Sequence, residues 1–263
     1  MQYSTFAAID IGSYDVILEI FEISKKQGIR SVDKICHRME LGKDTYTLGK
    51  IRPEMEEELC RVLADFVRIM EGYRVDAYRA MASSAISEAA NSLYVLGKIR
   101  QLTGLSVTVL SNSEQRFLGY KALAAMEDNF NKVIEKGTAI LDLDGGSFQI
   151  SLFDKDALVT TQNIRMGSLR VRERLAGIQS ETEHYEEMVE ELIWNEVSSF
   201  KKMYLKDRKI ENIMLIGDVF TDSVYQNIEE KTTKIISREN FNTWYEKIIR
   251  QSPMELAVKL GIP

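Results

Sequence analysis

The feature that most constrains this chain is a pattern written twice. The stretches Phe6-Ala-Ala-Ile-Asp10-Ile-Gly12-Ser13-Tyr-Asp-Val-Ile-Leu-Glu-Ile20 and Thr138-Ala-Ile-Leu-Asp142-Leu-Asp-Gly145-Gly146-Ser147-Phe-Gln-Ile-Ser-Leu-Phe153 share one plan. In each, an apolar strand ends in Asp, turns through Gly and Ser, and returns as a second apolar strand. A lone hairpin cannot bury both its faces, so each copy requires further strands and covering helices. The surroundings supply them. Apolar runs over 6–10, 16–23 and 28–41 predict three consecutive antiparallel strands. Pro53, the glutamates that follow it, and Leu59, Val62, Leu63, Phe66 and Met70 predict a helix. A strand over 76–81, a helix over 84–103, a strand over 106–110 and a helix from Ser111 or Ser113 to Met126 follow. After the second copy come a strand over 157–164, helices over 181–205 and 240–250, and the apolar run 213–217 between them. The fold class is α/β, with two domains of related topology, 1–128 and 129–263, meeting near 125–135. No Pro/Gly/Ser-rich linker separates them, so helices join them.

Composition enters mainly through what it excludes. A net charge of −6 argues against nucleic acid as a partner, since such proteins neutralise phosphates with excess Lys and Arg. Cys36, Cys60, His37 and His184 are the whole complement of cysteine and histidine, too few for the common zinc cages and poorly suited to a Ser-His-Asp triad. No apolar stretch approaches the roughly 18 residues of a membrane span, and the opening residues lack a signal-peptide pattern. A cytoplasmic protein with reduced thiols is expected, with Cys36 and Cys60 as small buried hydrophobes and His184 an unremarked member of a polar helix.

The doubled turn has a chemistry of its own. It presents a carboxylate, exposed backbone N–H groups and a hydroxyl at one point, where glycine lets the backbone approach phosphate oxygens and the carboxylate can hold hydrated Mg²⁺. One such turn is equally well an ordinary hairpin. Two of them, each opening a domain of similar order, define a phosphate-binding cleft between domains.

These residues resemble the actin, sugar kinase and Hsp70 superfamily, and within it the exopolyphosphatase and guanosine pentaphosphate phosphohydrolase branch. The resemblance rests on Ala8-Ile-Asp10-Ile-Gly-Ser13, on Arg38-Met-Glu-Leu41-Gly through Gly49-Lys-Ile-Arg-Pro-Glu, and on Ala80-Met-Ala-Ser-Ser-Ala-Ile-Ser-Glu-Ala-Ala-Asn91. Val109-Leu-Ser-Asn-Ser-Glu114-Gln115, Leu141-Asp142-Leu-Asp-Gly145-Gly146-Ser147 and Arg165-Met-Gly167-Ser168 continue it in family order. It implies two ribonuclease H-like (actin-like ATPase) domains around a cleft. It further implies Mg²⁺-dependent hydrolysis of a terminal phosphoanhydride in polyphosphate or a guanosine polyphosphate, in a protein that often dimerises and whose relatives run on beyond the point where this chain ends, making the second domain short or truncated. By the same resemblance Asp10 and Asp142 are the metal carboxylates, and Gly12, Ser13, Gly145, Gly146 and Ser147 bind phosphate. Asp142, with Glu114 or Gln115, serves catalysis.

Several positions depart from that pattern. Gln115 stands where the family has its water-orienting glutamate, and an amide accepts no proton, although it can orient water by hydrogen bonding. Ser87 replaces an arginine, Tyr14 an asparagine, Asp144 a glycine and Gln149 a glutamate, and Gly217-Asp218-Val219 replaces a late glycine pair. Glu114 is either a catalytic substitute or a helix N-terminal acid stabilised by the helix dipole, and Arg165 either a phosphate anchor or an exposed cation. Two functions stay open: a phosphoanhydride hydrolase with a partly eroded site, or a member that binds nucleotide or polyphosphate without turnover, as a sensor or partner-binding protein.

Overall fold

A computed structural model describes residues 3–126, 130–179, 184–217, 237–252 and 254–256. The first sheet is built on β1 (Ser4–Ile11), β2 (Asp15–Ser24) and β3 (Gly28–Arg38), an antiparallel meander. To its other side it adds β4 (Ala77–Ala82) and β5 (Val107–Val109) in parallel, giving the order β3-β2-β1-β4-β5. The second sheet repeats this. β6 (Thr138–Leu143), β7 (Phe148–Asp154) and β8 (Ala157–Ile164) form the meander and β9 (Asn212–Ile216) pairs in parallel with β6, in the order β8-β7-β6-β9. The architecture is the expected α/β pair of related units.

Alternation decides which face each strand buries. Ala7, Ile9 and Ile11 on β1 and Val16, Leu18 and Ile20 on β2 point into one core. Against it lie α2 (Pro53–Gly72), through Leu59, Leu63 and Phe66, and α4 (Ser92–Thr103), through Val95 and Ile99. Proline at the first helical position of α2 forfeits only an N–H that has no intrahelical acceptor there. The second sheet is covered on both faces. Phe148, Ile150, Leu152 and Ile164 meet Phe200 of α8 (Tyr185–Tyr204) on one side. Ile140 and Phe153 meet α5 (Asn112–Met126) and α6 (Phe130–Ile134) on the other, where Tyr120 and Phe153 pack edge to face at 5.2 Å. So α5, which follows the last strand of the first sheet, lies on the second.

The structure departs from the sequence expectations at several places, the short helix α6 among them. The third strand ends at Arg38 rather than Leu41, and Glu40, with φ 50°, turns the chain into a helix, α1 (Leu41–Leu48). The helix expected over 84–103 is two, α3 (Ser84–Ser87) and α4. Asn91 explains the break: its amide accepts from Ile51 N–H at 3.0 Å and donates to Ile51 C=O and to Glu56 at 2.8 Å, an outside pairing that replaces helical continuity. An unexpected α7 (Ser168–Gln179) buries Leu169, Val171 and Leu175. Cys60 is buried as expected, but Cys36 is exposed, because it lies on the edge strand β3 whose residues mostly face outward. The helix expected from 181 begins at Tyr185, with 181–183 outside the described residues, and that expected over 240–250 is α9 (Arg238–Ile249). Among the described residues no helix is long and apolar enough to cross a membrane.

Candidate functional site

The repeat is exact in its turns. Asp10 pairs with Ile17 and Asp142 with Gln149, so the same four-residue span, Gly12–Asp15 or Asp144–Ser147, joins the strands. The same bond closes each: Gly12 N–H to Asp15 C=O at 2.9 Å, and Asp144 N–H to Ser147 C=O at 3.1 Å. Each is then braced by the helix that follows the third strand of its meander. Gly42 N–H of α1 donates to Ser13 C=O at 2.9 Å, and Arg170 N–H of α7 donates to Gly145 C=O at 3.1 Å. These two helices, both missed in the sequence, pack on each other. Gly167 is required for this: a Cβ there would fall 2.3 to 2.4 Å from backbone atoms of Asp144, Gly145 and Ser147.

The predicted phosphate residues are brought together, and the turns touch rather than face across open space. Ser13 is fully buried, Gly145 and Gly146 are buried, and a Cβ on Gly145 would stand 3.4 Å from that of Ser13. Tyr46 of α1 fills the interval. Its hydroxyl lies 2.6 Å from Ser13 Oγ and 2.9 Å from Ser84 Oγ, and the two serine hydroxyls are 3.1 Å apart. A Cβ on Gly146 would come within 2.1 Å of Tyr46 Oη. Burial pushes the Tyr46 phenol above its ordinary value, against smaller opposing effects of its serine partners, so at neutral pH it is an uncharged hydrogen-bonding hydroxyl. Arg170 locks the arrangement: its guanidinium stacks 3.8 Å above the Tyr46 ring while Nε donates to Gly146 C=O at 2.9 Å. Gly12 and Ser147 are half-buried at the margins, with Asn163 donating to Ser147 Oγ at 3.1 Å.

Asp10 is exposed on β1 of the first sheet, Asp142 lies on the face of the second sheet that α5 covers, and Glu114 and Gln115 open α5 itself. Asp142, Gln149 and Asn163 stand opposite one another on β6, β7 and β8 and so share that face. Below them a polar strip continues: Tyr120 donates to Ser151 at 2.6 Å and Arg116 to Thr161 at 2.6 Å. Gln149 is 4% exposed, and its Oε1 has no hydrogen-bond partner among the described residues. Glu114 and Gln115 sit in the first turn of α5. Glu114 closes a capping box, its carboxylate accepting from Ser111 N–H at 2.9 Å and Ser111 Oγ at 2.7 Å, which holds its carboxyl below the ordinary value. Gln115 is half-buried. Arg165 pairs with Glu88 across the seam. Of the altered late glycine segment, Gly217 has φ 140° and closes on Leu143 C=O, while Asp218 and Val219 lie outside the described residues.

The donors present fit a hard divalent cation. Asp10 and Asp142 stand one residue before the ends of β1 and β6, and Gln149 Oε1, without a hydrogen-bond partner among the described residues, is a further oxygen on the face of Asp142. Carboxylate and amide oxygens are the hard donors Mg²⁺ takes, an ion commonly held by one or two carboxylates with water and substrate phosphate completing its shell; among the described residues no three His, Cys, Asp or Glu side chains converge. The residues that sequence reasoning missed are Tyr46, Ser84 and Arg170. The signal lay in carrying the repeat one element further, to the glycine that follows each third strand: Leu41-Gly42 and Met166-Gly167.

The profile of the Ppx/GppA phosphatase family matches residues 19–260. The chain belongs to this family. Ppx/GppA structures share its fold: one from Aquifex aeolicus covers 98% of the chain and 83% of its own length at 20% identity, with a TM-score of 0.72. An exopolyphosphatase from Cytophaga hutchinsonii covers 96% and 82% at 18% identity, also with a TM-score of 0.72. Among curated relatives, a bifunctional 3-dehydroquinate synthase/phosphatase from Fusobacterium nucleatum is 21% identical over 238 residues, 86% of the chain and 34% of the relative. Exopolyphosphatase 1 of Mycobacterium leprae is 25% identical over 144 residues, 54% of the chain and 41% of the relative. The chain therefore spans well under half the length of these curated relatives.

Proposed function

We propose that the chain is a phosphoanhydride hydrolase of the exopolyphosphatase type, releasing terminal phosphate from polyphosphate or a guanosine polyphosphate in the cytoplasm. The observation that carries this reading is the apposition of the two closed turns, Gly12–Asp15 and Asp144–Ser147, each set at the end of a strand whose next-to-last residue is an aspartate. Phosphoryl transfer asks little covalent chemistry of a protein beyond positioning, charge neutralisation and an oriented water. Backbone N–H groups of the turns and the Ser13, Ser84 and Ser147 hydroxyls would grip the terminal phosphate once the Tyr46 hydroxyl withdraws from between them. Asp10 and Asp142 would hold Mg²⁺, which when bound neutralises phosphate oxygens. Gln149 Oε1, buried without a partner among the described residues, would accept from water on the Asp142 face, and Gln115 or Glu114 would orient the attacking water from the start of α5.

A second reading is a member that binds the same phosphates without turnover. It is favoured by the two amides, Gln115 and Gln149, at positions where a base would serve, and by the engagement of the Glu114 carboxylate in its helix cap. Mg²⁺-dependent phosphate release from long-chain polyphosphate and guanosine pentaphosphate separates the two. For the hydrolase, wild type releases phosphate and Asp142→Ala does not. A silent wild type whose Gln115→Glu variant gains activity sinks the hydrolase reading and leaves the binder. Since loss of a general base typically costs about 10²- to 10⁴-fold, the assay must resolve rates that far below an ordinary turnover.

A further inference from the structure

Beside the turns the seam carries a cluster of charge that phosphate gripping leaves unused. A cavity of about 500 Å³ opens against Tyr46 and Thr47 of α1 and is walled on the other side by Arg165, Arg170, Glu173 and Arg174. Arg170 and Arg174 are one turn apart on α7 and address the same face of the helix, and Arg165 follows the strand leading into it. Glu173 is engaged by Arg172 at 2.9 Å, and among the described residues Arg174 has no polar partner. Three guanidinium groups thus border one cavity. A single carboxylate from across the seam, Glu88, serves two of them: Arg165 donates to it, and Arg170 Nη2 donates to both its oxygens at 3.0 and 3.1 Å.

A carboxylate held between two guanidinium groups occupies the place a phosphate oxygen pair takes, since the forked donors match both. A phosphate group brings more charge and a third oxygen, for which Arg174 stands ready at the cavity wall. From this geometry we infer that the seam cavity is a receptor for a small free oxyanion of the phosphate class, inorganic phosphate or pyrophosphate, with Glu88 as its built-in competitor. Glu88 follows α3, the helix that begins at Ser84, whereas all three arginines belong to the second half of the chain. An anion that takes its place therefore cuts the ionic tie across the seam. Arg170 stays over Tyr46, held by Gly146 C=O and now by the anion, but its tie to Glu88 across the seam is gone, and the seal between the turns loosens. The cavity makes the accessibility of the turns respond to free phosphate. This needs neither metal nor turnover and stands whether or not the chain hydrolyses anything.

The test is calorimetric titration of the full chain with pyrophosphate, and in parallel with inorganic phosphate, in EDTA. Wild type binds at least one of the two, Glu88→Gln tightens that affinity about tenfold, and Arg174→Glu weakens it about tenfold or more, couplings of ordinary size for linked sites. Arg174 is exposed and unpaired among the described residues, so its loss does not disturb the fold. Amide exchange at Gly42 and Arg170, whose N–H groups brace the two turns, speeds up when the anion is bound. The inference is overturned if neither wild type nor Glu88→Gln binds, if Arg174→Glu binds as wild type does, if Ser147→Ala weakens binding as much as Arg174→Glu, or if exchange at the two amides is unmoved.

Discussion

The contact between Tyr46 and Gly146 can be measured by a double-mutant cycle. Tyr46→Phe removes a hydroxyl bonded to Ser13 and Ser84, but those serines lie 3.1 Å apart and satisfy each other, so no buried group is orphaned. Its cost is that of the lost bonds alone, about 1–2 kcal/mol. Gly146→Ala places a methyl 2.1 Å from Tyr46 Oη, an overlap that side-chain hopping cannot relieve while two serines hold the hydroxyl. Overpacking of this kind costs about 1–3 kcal/mol, less a few tenths to 1 kcal/mol returned because alanine is stiffer in the unfolded chain. In the Tyr46→Phe background the nearest atoms become Ser84 Oγ at 2.5 Å, which is free to rotate, and the ring carbon at 3.1 Å. The second substitution is then much cheaper, and the two couple by about 1 kcal/mol or more. Urea unfolding of wild type, both single variants and the double variant supplies the cycle. Free energies that add to within about 0.5 kcal/mol would refute the claim that the tyrosine hydroxyl fills the interval between the turns.

Other outcomes follow from the same contacts. Asn91→Ala loses its bonds to both polar groups of Ile51 and to the nearly fully buried Glu56, and is expected to cost about 2–3 kcal/mol, read as a lower urea midpoint with unchanged slope. Glu40 is held below its ordinary carboxyl value of 4.5, first by its hydrogen bonds from Arg172. A carboxyl with a depressed folded value adds stability above its unfolded value and loses it as pH falls through the folded one. Stability should therefore drop on acidification below about pH 4.5, with a shallower drop in Arg172→Gln. An equal slope in both proteins would show that the pair contributes nothing. Glu114→Ala, which opens the capping box, should lower the melting temperature, and phosphate release that falls by far more than the loss of folded protein would assign Glu114 to catalysis rather than to the cap.

How much of this was legible in the chain depended on the range of the interactions. Strand patterning is local, so the apolar runs over 6–10 and 16–23 declared β1 and β2 without help, and the repeat of Asp10 and Asp142 announced the second sheet. The turns were found because glycine, serine and aspartate carry their own backbone chemistry. The helices α1 and α7 were hidden for a physical reason. They are short and rich in polar residues, the buried Leu169, Val171 and Leu175 of α7 do not keep an even three-and-four spacing, and each helix is tied by an N–H bond to a turn far away in sequence, Gly42 to Ser13 and Arg170 to Gly145. The break at Asn91 was hidden likewise, since its partner is the backbone of Ile51. Tyr46 looked like any aromatic near a core. Only the fold brings it to Gly146, and only then does the absence of a side chain at that glycine acquire a reason.

The matched turns carry an implication for how such a protein can change. By their common register, Ser13 and Tyr14 of the first copy correspond to Gly145 and Gly146 of the second, and the side chains of one nest against the bare backbone of the other. The copies are alike in path and opposite in relief, as a mould is to its cast. Neither turn can replace its twin: two serine-tyrosine turns would collide, and two glycine turns would leave a void. A lineage that enlarges residue 145 or 146 must shrink or shift residue 13 or 46 in the same interval, so the two halves are bound to drift as a pair.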